Sequence, residues 1–162
     1  MASPAKTIKK NLRNDPVSSL PMRTACTIGA SDSIAKVLQV MAQNGVGCAM
    51  IMDASTSRLA GIFTESDFLY RVVLPKLDVN QPIQGVMTST PKVVQSSASV
   101  FQAIQIMEKG RIRHLPVLAD DGSLTGVISL KEIIHYLVEY FPATVYNLPP
   151  TPVLAQPARE GA

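Results

Sequence analysis

Residues 61 to 67 read Gly-Ile-Phe-Thr-Glu-Ser-Asp, an apolar run that ends on the hydroxyl of Thr64 with the carboxylate of Asp67 three residues beyond it. Sixty-five residues later the chain reads Gly-Val-Ile-Ser-Leu-Lys-Glu, with Ser129 for the threonine and Glu132 for the aspartate. Two kinds of chemistry suit such a pair at the junction of a strand and a helix. The hydroxyl can cap the helix while the acid complements its dipole. Alternatively, the two groups can converge on vicinal sugar hydroxyls, because a carboxylate accepts several protons at once. The helix N-terminus beside them then favours a phosphate. The residues alone leave both open.

Little else in the chain resembles catalytic equipment. It has no Walker A glycine loop, no Gly-x-Ser-x-Gly elbow, no His-Glu-x-x-His and no Cys/His cluster at zinc spacing. We therefore assign no catalytic residue and no metal ligand, and read the chain as a non-enzyme. The histidines are His114 and His135, and a histidine on a helix such as His135 reads as a surface or interface residue. Cys26 and Cys48 do not form a disulfide framework; two small buried apolar residues are a better reading than a redox pair.

Of the 162 residues, 46% are hydrophobic and 17% charged, enough apolar mass for one ordinary domain or two small units sharing a core. Aromatic residues are 5%, so the core must be built from Val, Ile, Leu, Met and Ala. No apolar run approaches the roughly 18 to 20 residues that span a bilayer. The first residues carry Lys6, Lys9 and Lys10 without the apolar stretch of a secretory signal. A reducing cytoplasm and no membrane association are the expectation. The net charge of +3 is unevenly placed. Lys6, Lys9, Lys10 and Arg13 precede the first acid, whereas 10 Lys/Arg against 11 Asp/Glu between positions 15 and 141 give −1. Such a basic tail can touch nucleic acid or anionic lipid, but four charges more often solvate a segment, so nucleic acid is not the expected partner.

Positioning the two hydroxyl–acid pairs requires the chain to repeat itself. An offset of 66 lays Asn14–Leu20 on Asn80–Val86, Ser31 and Ser33 on Ser97 and Ser99, and Gln39 and Met41 on Gln105 and Met107. An extra residue in the first Ala-Ser-Thr-Ser-Arg turn reduces the offset to 65, which brings Gly61, Thr64 and Asp67 onto Gly126, Ser129 and Glu132. In each copy a short β run precedes an amphipathic helix, marked in the first by Ile34, Val37, Leu38 and Met41. Strands at 46–52 and 59–64 and a helix from Asp67 follow. Copy two gives a helix at 98–109, strands at 112–118 and 124–129 about an Asp-Asp-Gly-Ser turn, and a helix at 130–140. The fold class is α/β (α+β): two β-α-β-β-α repeats packed sheet to sheet about a pseudo-two-fold axis, with two equivalent clefts between them. Neither copy is large enough to stand comfortably alone. The divisions are a basic tail at 1–13, copy one at 14–76, copy two at 77–141 and a Pro-rich tail at 142–162.

The order of elements, the Val-Met-Thr-Ser-Thr-Pro opening of copy two, its Arg-His-Leu-Pro-Val strand and Gly-Ile-Phe-Thr-Glu-Ser-Asp together resemble the CBS domain family. A tandem pair of these domains is a Bateman module, and the resemblance covers roughly residues 14 to 141. It implies a regulatory sensor that binds an adenosyl ligand (AMP, ADP, ATP or S-adenosylmethionine) between the repeats, requires no cofactor, and associates as a homodimer with an unknown regulated protein as target. Exposed apolar positions at Ile134, Leu137, Val138 and Phe141 agree with a dimer.

Carried over to this chain, the resemblance implies two unequal clefts. In the first, Thr64 and Asp67 hold the ribose and Ile62 lies along it. Pro91, Lys92, Val93 and Pro116 form the base slot, and His114 and Lys131 face the phosphates. In the second, Ser129 keeps the hydroxyl but Glu132 is one methylene too long. Ala25, Cys26, Thr27, Cys48 and Met50 line the slot, Met50 standing where the family often has Pro, and Arg113 is the phosphate partner. Weak or absent binding is expected there. The competing reading is a dimeric interaction scaffold that binds no nucleotide.

Overall fold

The structure, a computed structural model, describes residues 4–140; Phe141 and the Pro-rich tail lie outside the described residues. The chain opens with α1 (Pro4–Asn14). Copy one follows as β1 (Thr27–Gly29), α2 (Ile34–Asn44), β2 (Cys48–Met52), β3 (Leu59–Thr64) and α3 (Glu65–Phe68), which continues through a π-helical turn at Leu69–Val73. Copy two comprises β4 (Val94–Gln95), α4 (Val100–Gly110), β5 (His114–Leu118), β6 (Leu124–Ser129) and α5 (Leu130–Tyr140). The expected order of elements holds in both copies.

Each copy forms a three-stranded sheet, β1-β2-β3 or β4-β5-β6. The first two strands run parallel, crossed over by a helix, and the last two form a hairpin. The hairpin register shifts at Ile51/Met52 and again at its counterpart Val117/Leu118. Ser33 and Ser99 cap α2 and α4, each hydroxyl accepting the N3 amide at 3.2 Å. Ile34, Val37 and Met41 bury one face of α2, while Val100, Ala103 and Met107 bury the same face of α4. The sheets meet through Cys48, Met50 and Ile62 of copy one and Val127 of copy two, with Ala25, Leu59 and Leu124 around them.

The segments that open the copies are exchanged. Val17 and Leu20 precede copy one in sequence but lie in the core of copy two with Val94, Val100 and Leu115. Ile83 and Val86 precede copy two but lie in the core of copy one with Ile34, Ile51 and Phe63. The backbone bonds are reciprocal. Val17 donates to the Ala98 carbonyl at 2.7 Å and Ile83 to that of Asp32 at 2.8 Å, while Val100 donates to Asp15 at 2.9 Å and Ile34 to Gln81 at 3.0 Å. The divisions at 14–76 and 77–141 are thus continuous in sequence, but each core borrows a strap from across the boundary.

Residues 1–13 show no obvious period, yet Pro4–Asn14 is helical. Leu12 packs on the core of copy two, and the Arg13 guanidinium lies 5.1 Å from the centre of the Phe101 ring. Its apolar stripe is too narrow to stand out within a basic segment.

Among the described residues no helix is long and apolar enough to cross a membrane, and no group of three or more His, Cys, Asp and Glu stands together as a metal set.

Candidate functional site

At the end of β3 both uses of the hydroxyl–acid pair begin from one geometry. The Thr64 hydroxyl accepts the Asp67 amide at 3.2 Å, while Asp67 Oδ2 accepts the Thr64 amide at 2.9 Å and its hydroxyl at 2.7 Å. This is a capping box, and it holds both side chains at the mouth of a cleft. Asp67 Oδ1 pairs with Arg71 Nε at 3.3 Å, one turn along the helix. Two bonds fill Oδ2, and Oδ1 keeps one open lone pair. Gly61 is required because Met87 and Thr88 cross β3 here: a Cβ would stand 2.8 Å from the Thr88 carbonyl oxygen.

The cleft encloses about 320 Å³. Ile62, Thr64, Ser66 and Asp67 of copy one face Thr88, Thr90, Pro91 and Lys92 of copy two across it. Its far wall is Arg111, Ile112, Arg113 and His114. Arg111 ends α4 in the left-handed region at φ 50°, where copy one uses Gly45 at φ 60°. A side chain there is unfavourable by about 1 kcal/mol, a cost that Ser57 and Lys76 also bear elsewhere in the chain; the repeat alignment already sets Arg111 against Gly45. Burial and the neighbouring Arg113 charge push the His114 imidazole below its ordinary range, against the opposing pull of Glu65 and Glu132. His114 is half-buried.

Six of the nine residues assigned to this cleft line it: Ile62, Thr64, Asp67, Pro91, Lys92 and His114. The other three do not. Val93 is half-buried and is not among the residues lining the cavity. Pro116 is buried within β5, opposite Val127. Lys131 instead lines an open depression of about 350 Å³ shared with Arg23, Gly47, Glu65, Arg113, His114, Ser129 and Leu130.

The second cleft has shrunk to about 40 Å³, lined by Arg23, Thr24, Cys26, Val46, Gly47, Cys48, His114, Val127, Ser129 and Glu132. Glu132 Oε2 accepts the Ser129 amide at 2.8 Å and the Ser129 hydroxyl, as Asp67 does in the first cap, but the Ser129 hydroxyl accepts the Lys131 amide at 3.2 Å rather than that of the acid. Its other oxygen takes Arg23 Nε at 2.8 Å. Burial pushes the Glu132 carboxyl up, but the Ser129 hydrogen bonds, the helix amide and Arg23 outweigh it and hold it below the usual range. Burial lifts the Cys48 thiol to about 12, which disfavours the thiolate.

The residues assigned to this cleft divide in the same way. Cys26, Cys48, Ser129 and Glu132 line the second cleft, but Thr27 and Met50 do not. Thr27, the first residue of β1, is exposed; Met50 is wholly buried where the sheets meet. Arg113 serves the first cleft and the open depression instead. Glu132 is a poor mimic of Asp67 for a further reason: Arg23, which the sequence reading missed, occupies its free oxygen.

Comparison with known proteins agrees with this architecture. The CBS domain family profile matches residues 17–74 and 83–139. A CBS domain-containing protein of Arabidopsis thaliana is 31% identical over 120 residues, 74% of this chain; the chain spans only 22% of that protein's length. A CBS domain protein from Pyrobaculum aerophilum, solved in complex with AMP, superposes with a TM-score of 0.70 at 27% identity, covering 77% of this chain and 99% of that one. The CBS domain pair of protein MJ0100, in complex with 5′-methylthioadenosine and S-adenosyl-L-methionine, gives 0.69 at 19% identity over 78% of this chain and 98% of that one, a likeness of fold alone.

Proposed function

The chain belongs to the CBS domain family, and from that premise we propose that it is a ligand-sensing regulatory module holding one adenosyl ligand in its first cleft. The observation that carries this reading is the cleft of about 320 Å³ that sets the Thr64–Asp67 pair opposite Pro91 and Lys92, with Arg111 and Arg113 on the far wall. The ribose takes the open lone pair of Asp67 Oδ1 and displaces the Thr64 hydroxyl from Oδ2. Ile62 lies under the sugar, and the base enters between the copies near Pro91. Lys92, Arg111 and Arg113 supply positive charge for phosphates, which favours AMP, ADP or ATP over the sulfonium of S-adenosylmethionine. The AMP complex of the Pyrobaculum protein supports the reading.

Regulation follows from linkage: the ligand shifts a conformational equilibrium by its difference in affinity for the two states. The regulated target is a protein other than this chain, and the chain performs no catalysis itself. The module pairs as a homodimer through the exposed apolar residues of the two late helices, Leu69, Tyr70, Val73 and Leu74 in copy one and Leu130 and Ile134 in copy two. Of the positions first named for this face, Ile134 is exposed, Leu137 packs on the core, Val138 is half-buried and Phe141 lies outside the described residues. A light-scattering mass of one chain would remove the dimer.

Calorimetric titration of AMP, ADP, ATP and S-adenosylmethionine tests the reading. Saturable binding near one ligand per chain is expected, weakened roughly 10- to 100-fold in Asp67→Ala, as befits a charged hydrogen bond worth about 1.5–3 kcal/mol. Absence of heat with every ligand leaves the competing reading, a dimeric interaction scaffold, which the closed second cleft favours.

A further inference from the structure

The second cleft is closed by a residue whose counterpart in the first cleft leaves that one open. Two isolated bridges define the correspondence: Arg23 pairs with Val127, and Thr88 pairs with Ile62. Val127 and Ile62 are equivalent at the offset of 65, so Arg23 stands where copy two has Thr88. Sequence offset alone misses this, because 66 lays Arg23 on Ser89.

The charge arrangements differ accordingly. Asp67 is neutralised by Arg71, which comes from its own helix and is not among the residues lining the cleft. The position equivalent to Arg71 in copy two is Tyr136, which is buried and bonds to Asp15 instead. Glu132, only 6% exposed, is therefore without the helix-borne cation. It takes Arg23 from the strap side, across the cleft mouth. Arg23 remains half-exposed, and it borders both the second cleft and the open depression beside it. Cys48 lies in the same cavity, nearly inaccessible, and feels the charges of both Arg23 and Glu132.

We infer that Arg23 is a built-in occupant of the second cleft: paired with Glu132, it takes the place that a ribose takes beside Asp67 and restricts the chain to one ligand. Arg23 is thus a specificity-determining residue, setting the number of sites rather than the strength of the working one. The stoichiometric part of this inference rests on the adenosyl reading of the first cleft; the closure itself does not.

The test uses the full chain with Cys26→Ser, so that Cys48 is the single thiol. Arg23→Thr with Glu132→Asp gives the second cleft the counterparts of Thr88 and Asp67. Arg23→Ala with Glu132→Gln removes both charges together and leaves no unpaired buried carboxylate, which guards against loss of folding. In either variant the reaction of Cys48 with an aromatic disulfide reagent is expected to quicken at least tenfold; an unchanged rate in both would overturn the closure. Equilibrium dialysis with AMP is expected to find one site in the parent and two in Arg23→Thr/Glu132→Asp. One site beside a freely reacting Cys48 would overturn the claim that Arg23 holds the ribose place. A parent that binds no AMP would sink the adenosyl reading instead, and the Cys48 rate would still decide the closure.

Discussion

The two clefts descend from one duplicated element, share an acid that accepts the amide and hydroxyl of the residue capping its helix, and differ in volume, about 320 Å³ against 40 Å³. The backbone does not account for this: the sheets, crossovers and register shifts match. What differs is where the cation for the buried acid comes from. Arg71 compensates Asp67 from outside the cleft, whereas Arg23 compensates Glu132 from within it. The fold is thus kept in both copies although charge compensation comes from opposite sides of the two carboxylates.

The largest break in the symmetry should appear in the cores. Phe63 and its counterpart Ile128 are both fully buried. Truncation to Ala should cost about 4 kcal/mol at Phe63 and about 3 kcal/mol at Ile128, read from urea midpoints. If the second costs more, copy two is the more rigid half and the ranking fails.

Next come the acids. Glu132→Gln should destabilise by about 2 kcal/mol, since it takes a charged partner from Ser129 and Arg23. Asp67→Asn should cost about 1 kcal/mol, because half-exposed Arg71 contributes little. The pH profile carries the same information. Glu132 titrates lower in the folded chain, so its contribution is full above about pH 4.5 and vanishes as pH falls through the folded value. His114 is also lowered, so the unfolded chain takes up the proton first and stability declines as pH drops below about 6.5. Glu132→Gln should flatten the acid limb and His114→Asn the limb above it; denaturant midpoints from pH 3 to 8 would show either slope surviving.

Arg111 against Gly45 gives a smaller effect with opposite signs. Arg111→Gly should stabilise by up to about 1 kcal/mol by relieving the left-handed backbone, yet weaken AMP roughly tenfold. Tighter AMP binding in the more stable variant would remove Arg111 from the phosphate wall. Smallest are the caps: Ser33→Ala and Ser99→Ala should each cost about 1 kcal/mol, and melting curves should not distinguish them.

Much of this could be read from residue order. The period of Ile34, Val37 and Met41 and the hairpin signal at Asp121-Gly122 placed the helices and strands closely, because each depends on local spacing. The pair Thr64–Asp67 was legible as a candidate because it recurs, and the structure places it at the mouth of a cleft. Arg23 was not, since a one-residue slip between the opening strap and β1 hides its counterpart. Lys131 lines the open depression rather than the first cleft, and Arg113 lines the first cleft and that depression rather than the second cleft, because side-chain direction at a strand–helix junction is a tertiary property. The helix at Pro4–Asn14 escaped because a narrow apolar stripe in a basic segment carries little signal. The exchange of straps escaped because a repeat alignment says what resembles what, not what touches what.

That exchange bears on how such a chain could exist as a single copy. A lone repeat with its own leading strap would have the groove that Ile83 and Val86 fill, and a strap shaped for someone else's. It could close its core only by trading straps with a second molecule, so its folding would depend on concentration. Tandem duplication turns that trade into an event within one chain, where the partner strap is always present and dilution no longer matters.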